Sequence, residues 1–205
     1  MAFRCVAGLC LPFVAVLVGL YGLHSAWSCI LLYHLGILVF LLAARARGEV
    51  LRRFLTGGSL RLAILYSIPC LLAGPFLYVY WKSITPEIGR LPVWLARHGL
   101  SGRGWLFFVA YYASVHPVLE ELHWRGLLAR DRGGSVAQDL AFAGYHVPVL
   151  APLAKPGWVL LAFVALTAAA FCWRRAVSAR SGLLVPVLSH AAADLSVMLA
   201  VHALL

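Results

Sequence analysis

Long apolar runs separated by short polar breaks dominate this chain. Runs of spanning length recur at 6–23, 27–44, 60–80, 105–128, 136–153, 157–173 and 183–204. A helix needs roughly 20 apolar residues to cross about 30 Å of hydrocarbon, and only a helix or a closed barrel satisfies its backbone there. The pattern predicts an all-α, polytopic transmembrane helical bundle of about seven spans, six to eight at the limits, with nothing left for a soluble domain. Thr56, Gly57, Gly58 and Ser59 mark a loop between the second and third spans. The stretch 91–100 suits a helix lying flat at the membrane interface, with Trp94 as its anchor.

Composition narrows the class. The 205 residues are 63% hydrophobic and 12% charged, with a mean hydropathy of +0.90. Soluble domains run nearer half apolar and a quarter charged, so this is an integral membrane protein. The net charge of +10 does not imply nucleic-acid binding, because the basic residues fall in loops that orient spans. With the N-terminus cytoplasmic, that side receives Arg4, Arg45, Arg47, Arg52, Arg53, Arg61, Arg130, Arg132, Arg174, Arg175 and Arg180. The other side receives only Lys82, Arg90, Arg97, Arg103 and Lys155. The first apolar run is longer than a signal-peptide core and lacks a small-residue cleavage site, so it reads as a retained helix. Cys5, Cys10, Cys29, Cys70 and Cys172 show no CxxC spacing, which argues against a disulfide framework or a structural zinc cluster.

Polarity inside the spans is confined to the second half. The first three spans carry almost no polarity; His24 and His34 lie in or beside them, neither with a carboxylate or a second histidine at helical spacing, and both read as structural or interfacial. The chain therefore divides into supporting helices over 1–81 and a functional core over 104–205.

Three motifs occupy that core. In the run from Tyr112 to Leu128, Glu120 and Glu121 stand side by side, with Arg125 following. Carboxylates within a bilayer are expensive unless paired, protonated or wet, and mark function by default. Glu121 and Arg125 are at i and i+4 and suit an ion pair. Glu120 is rotated about 100° away along the helix and is free to face a cavity. Pro117 should kink the helix just before them. The second motif is Phe142, Gly144 and His146, followed by Pro148, with Gly144 permitting close helix approach. Asp139, one helical stretch earlier, suits a cap or a helix interface. The third is His190 and Asp194, again at i and i+4, a spacing suited to two ligands on one centre or to a carboxylate orienting an imidazole.

Glu-Glu-x-x-x-Arg, Phe-x-x-x-His and His-x-x-x-Asp, in this order on successive helices, resemble the CPBP intramembrane endopeptidases. That family is related to the type II CAAX prenyl proteases and is also called the abortive-infection family. The resemblance covers about 104–205 and implies a protease with Glu120, Glu121, Arg125, His146, His190 and Asp194 in its site. Many relatives carry Asn where this chain has Asp194. An ionised carboxylate accepts hydrogen bonds but cannot donate one.

Peptide hydrolysis needs an activated water, a stabilised oxyanion and a proton for the leaving amine. The reading favoured here makes Glu120 the general base, oriented by His146, with Glu121 as the structural partner of Arg125 and no cofactor. The alternative has zinc held by His146 and His190 with a carboxylate. The two histidines lie on separate helices, so no HExxH-type pair defines that site. The expected substrate is a membrane-embedded or membrane-anchored protein or peptide, cut at a C-terminal sorting signal or a CAAX-type tail. The expected location is a bacterial inner (plasma) membrane. Two rivals stand beside this reading: a non-catalytic immunity or scaffold protein, and a proton- or cation-coupled transporter, which would usually show paired broken helices in both halves.

Overall fold

The computed structural model describes residues 2–44, 48, 50–52, 58–129, 135–180 and 182–205. The expected loop residues Thr56 and Gly57 lie outside the described residues, as do Arg45, Arg47, Arg53, Arg130 and Arg132, on which the charge asymmetry leans. Every regular element among the described residues is helical.

The first half supplies α1 (Ala2–Val16, continued by a π-helical turn over Leu17–Gly22), α2 (Ala26–Ala43), α3 (Leu60–Leu71), α4 (Ala73–Ile84) and the short α5 (Arg90–Arg97). The second half supplies α6 (Gly102–Ser114), α7 (His116–Glu121, continued by a π-helical stretch over Leu122–Leu128), α8 (Val136–Gly144), α9 (His146–Leu150), α10 (Pro156–Arg180) and α11 (Leu184–Ala203). Four stretches are long and apolar enough to cross a membrane: Ala26–Ala43, Leu60–Ile84, Pro156–Val177 and Leu184–Ala203. Val6–Gly22 is apolar but shorter. The runs expected at 105–128 and 136–153 form helices broken at Val115 and at Tyr145. The first break has the cause read from sequence: Pro117 donates no N–H to Ala113, and the helix restarts at His116. Each break lies just before a histidine, His116 or His146, so this half of the chain is built from helix ends as well as from spans.

Local chemistry sets the other boundaries. Ser25 caps α2 by accepting the Ser28 N–H at 3.1 Å, and Ser59 caps α3 through the Leu62 N–H. Ser135 and Gln138 form a reciprocal capping box at the start of α8. Asp139 is therefore not the cap. It makes a two-pronged pair with Arg174, at 3.0 Å to Nε and 2.7 Å to Nη2, and ties α8 to α10. The interface alternative is the one the structure adopts. Residues 90–97 form the expected short amphipathic helix, with Leu91 and Leu95 buried and Trp94 stacked on His98.

α11 is the hub. It packs against α3, α4, α6, α7 and α10, so its polar residues meet groups from several helices at once. The tightest crossing is with α4. There the Ser196 hydroxyl accepts the Gly74 N–H at 2.9 Å and donates to the Leu71 carbonyl at 2.6 Å. A Cβ at Gly74 would overlap the Ser196 carbonyl, so only glycine fits. Gly74→Ala should therefore force α4 from α11 and lower stability by about 1–3 kcal/mol, read as a fall in detergent-solubilised melting temperature. An unchanged melting temperature would contradict this packing.

Candidate active site

The end of α7, the α8–α9 break and the middle of α11 meet in one buried cluster. Glu120 and Glu121 are both fully buried, and Arg125 and His190 nearly so. The two adjacent carboxylates keep different company. Glu121 Oε1 accepts from Arg125 Nη1 at 2.9 Å and from His190 Nδ1 at 2.9 Å. It is held by a guanidinium of its own helix and an imidazole of α11.

Arg125 in turn lies 4.6 Å over the Phe142 ring and 5.2 Å over the Trp173 ring. Cation–π contact of this kind supports a guanidinium removed from water. This accounts for the phenylalanine of the second motif, which is buried beneath the arginine of the first. Gly144 faces α1, where a Cβ would stand 3.3 Å from Phe13 Cζ, a close approach of the kind expected.

Glu120, like Glu121, is held on one oxygen only, and Glu121 Oε2 is also buried without a hydrogen-bonding partner among the described residues. Glu120 Oε1 accepts from the Tyr145 hydroxyl at 2.8 Å and from Trp124 Nε1 at 3.3 Å. Its Oε2 is buried with no hydrogen-bonding partner among the described residues. That oxygen faces His116 Nε2 at 3.6 Å and His190 Nε2 at 3.7 Å, both beyond hydrogen-bond length. His116 Nε2 is likewise unpartnered, and Asp194 Oδ1 stands 3.7 Å from His190 Nε2. Polar atoms of three side chains thus converge across gaps that fit a small polar group. Buried polar atoms without partners are rare and call for such an account.

Of the six residues expected in the site, Glu120, Glu121, Arg125, His190 and Asp194 are joined directly by these contacts. His146 is placed differently. Its Nδ1 donates to the Phe142 carbonyl at 2.8 Å and its ring lies against Tyr145, 4.0 Å between centroids. The residue of this segment that bonds Glu120 is its neighbour Tyr145.

The potential metal ligands also differ from expectation. His116, Glu120 and His190 each offer a donor atom, all within 4.8 Å of one another, whereas the sequence pointed to His146 and His190. His116 and Glu120 form an i,i+4 pair on α7, so the spacing that revealed Glu121–Arg125 was also present here. Trp124 also stands at i+4 from Glu120, whereas Tyr145, on another helix, carried no such signal.

The clamp on Glu121 generates a stability prediction. Removing one partner of a buried ion pair strands the other charge and costs about 3–5 kcal/mol. Arg125→Ala should lower folded yield and melting temperature along with any activity. Full stability in that variant would instead assign Arg125 to substrate contact.

The similarity of the chain to known families agrees with this geometry. Residues 102–196 match the family model described as type II CAAX prenyl endopeptidase, Rce1-like. No curated protein and no solved structure matches the chain. The matched segment runs from the start of α6 to Ser196 and contains all six expected site residues. Residues 102–196 of this integral membrane protein are thus similar to the type II CAAX prenyl endopeptidase, Rce1-like, family.

Proposed function

We propose that this protein is an intramembrane endopeptidase in which Glu120 activates water to hydrolyse a peptide bond of a membrane-associated protein or peptide. The observation that carries the reading is the convergence of Glu120 Oε2, His116 Nε2 and His190 Nε2 on one buried point, while Oε1 is tethered. A carboxylate fixed through one oxygen presents the other in a constant direction, as a general base requires.

In this scheme Oε2 takes a proton from water as the water oxygen attacks the scissile carbonyl carbon. The carbonyl π electrons move to oxygen, and imidazole N–H groups stabilise the oxyanion. Glu120 then returns its proton to the amide nitrogen as the C–N bond breaks. Glu121 stays with Arg125 and His190 and keeps the framework closed. His146 lies beside Tyr145 at the edge of this arrangement, with Nε2 as the nitrogen left for a substrate or water.

On this reading residues 104–205 form the protease core and 1–81 the supporting helices. The protein sits in a bacterial plasma membrane with its N-terminus cytoplasmic, and its substrate carries a CAAX-type tail or a C-terminal sorting signal. The family match supports the protease class and the CAAX-type chemistry.

The donor cluster favours a second reading. Three carboxylates (Glu120, Glu121 and Asp194) stand against one guanidinium, and imidazole nitrogen with carboxylate oxygen suits zinc. His116, Glu120 and His190 would hold the ion. When bound it would act as a Lewis acid and lower the pKa of a bound water. His190 already has the carboxylate partner on its other nitrogen that metal-bound histidines usually have.

Two measurements follow. With wild-type protein in proteoliposomes cleaving a farnesylated CAAX peptide, Glu120→Gln should lose about 10²–10⁴-fold in turnover while still folding. Near wild-type turnover would refute the base assignment. Elemental analysis should find sub-stoichiometric metal in active protein, with activity surviving 1,10-phenanthroline and Asp194→Asn tolerated. One zinc per chain, lost in His116→Ala, would establish the second reading instead.

A further inference from the structure

The peptidase scheme leaves two buried or half-buried polar side chains unused, Tyr111 and His34. Tyr111 of α6 places its hydroxyl 2.7 Å from His34 Nδ1. His34 of α2 places its Nε2 3.0 Å from His116 Nδ1. His116 Nε2 then faces Glu120 Oε2. His34 and His116 are both buried, and their rings meet edge to edge, with centroids 5.3 Å apart and planes tilted by 27°. Tyr112 covers the other side of His116 at 4.4 Å, which fixes the plane of that ring.

We propose that Tyr111, His34 and His116 form a directional hydrogen-bond chain through which α2 sets the ring nitrogen that His116 presents to Glu120. The proposal rests on the reading of Glu120 as the general base.

The direction follows from counting protons. A neutral imidazole has one N–H, and the hydrogen bond at one nitrogen decides what the other can do. Only two arrangements satisfy both contacts. In one, Tyr111 donates to His34 Nδ1, His34 Nε2–H donates to His116 Nδ1, and His116 aims its Nε2–H at Glu120. In the other every donor reverses, Tyr111 becomes an acceptor, and a nitrogen lone pair faces the carboxylate oxygen. Lone pair against anionic oxygen is repulsive, and a buried site screens it poorly. The charge of Glu120 favours the first arrangement at one end of the chain, and the Tyr111 hydroxyl, donating to His34 Nδ1, holds it at the other.

His116 is then held as a donor beside Oε2, where it can bind the attacking water or the oxyanion. His34 and Tyr111 act through it as positioning residues. His34 lies outside the segment 102–196 that matches the protease family, so the supporting half of the chain contributes to the site.

The test reads the tautomer and the kinetics separately. Uniformly ¹⁵N-histidine-labelled protein in detergent micelles should show His116 in the Nε2–H form. Tyr111→Phe, which removes one oxygen and keeps the ring, should turn that signal into a mixture of tautomers. So should His34→Leu. Turnover of a farnesylated CAAX peptide should fall about tenfold in kcat, the worth of one hydrogen bond, with KM unchanged. His34→Gln, whose amide can both accept and donate, should recover most of the loss. His116 in the Nδ1–H form in wild-type protein would overturn the proposal. So would an unchanged tautomer and kcat in both Tyr111→Phe and His34→Leu. If wild-type protein fails to cleave while the Nε2–H form appears and responds to Tyr111→Phe, the chain stands and the peptidase reading falls.

Discussion

The bond set around Glu121 is the constraint on which the remaining site geometry depends. One carboxylate oxygen receives the guanidinium of Arg125 and the Nδ1–H of His190, each at 2.9 Å. That joins α7 to α11, the helix against which most of the bundle packs. Charges inside a bilayer are tolerated when paired and hydrogen-bonded, and here the pairing carries a second consequence. With Nδ1 committed to Glu121, the ring of His190 turns its Nε2 towards Glu120 and Asp194. The clamp thus aims one nitrogen into the site as it neutralises one charge.

Adjacent glutamates meet different partners because successive helical residues point about 100° apart. Glu121 faces α11 and the aromatic pair Phe142 and Trp173 that carries Arg125. Glu120 faces Tyr145 and Trp124 with one oxygen and the histidines with the other. Each of these two glutamates is left with one oxygen unsatisfied among the described residues, and so are Asp194 Oδ2 and the ring nitrogens His116 Nε2 and His123 Nδ1. Of these atoms, Glu120 Oε2 and His116 Nε2 face each other at 3.6 Å.

What could be read from the sequence was what helical periodicity encodes. Glu121 with Arg125 and His190 with Asp194 are i,i+4 pairs, and both are in contact or nearly so. The apolar runs gave the all-helical membrane class, although among the described residues four stretches have the length and hydropathy of a crossing. His116 with Glu120 obeys the same i,i+4 rule and was legible in principle. His34, Tyr111 and Tyr145 were not, because their partners lie on other helices and no spacing along one chain reports a contact across a bundle. His34 looked bland for want of a local partner, yet its partner is 82 residues away. Asp139 shows a related effect: its place near a helix start suggested a cap, but the nearby Ser135 fills that role and frees the carboxylate for Arg174.

The central claim is a division of labour, with Glu121 structural and Glu120 chemical. Thermal unfolding of the purified protein compared across wild type, Glu120→Gln and Glu121→Gln tests it most directly. Glu121→Gln weakens the clamp and leaves Arg125 facing a neutral amide, so its melting temperature should fall well below wild type. Glu120→Gln removes a buried charge to which no guanidinium is paired, so it should melt at or above wild type. A Glu120→Gln protein that unfolds early beside an unaffected Glu121→Gln would contradict the account.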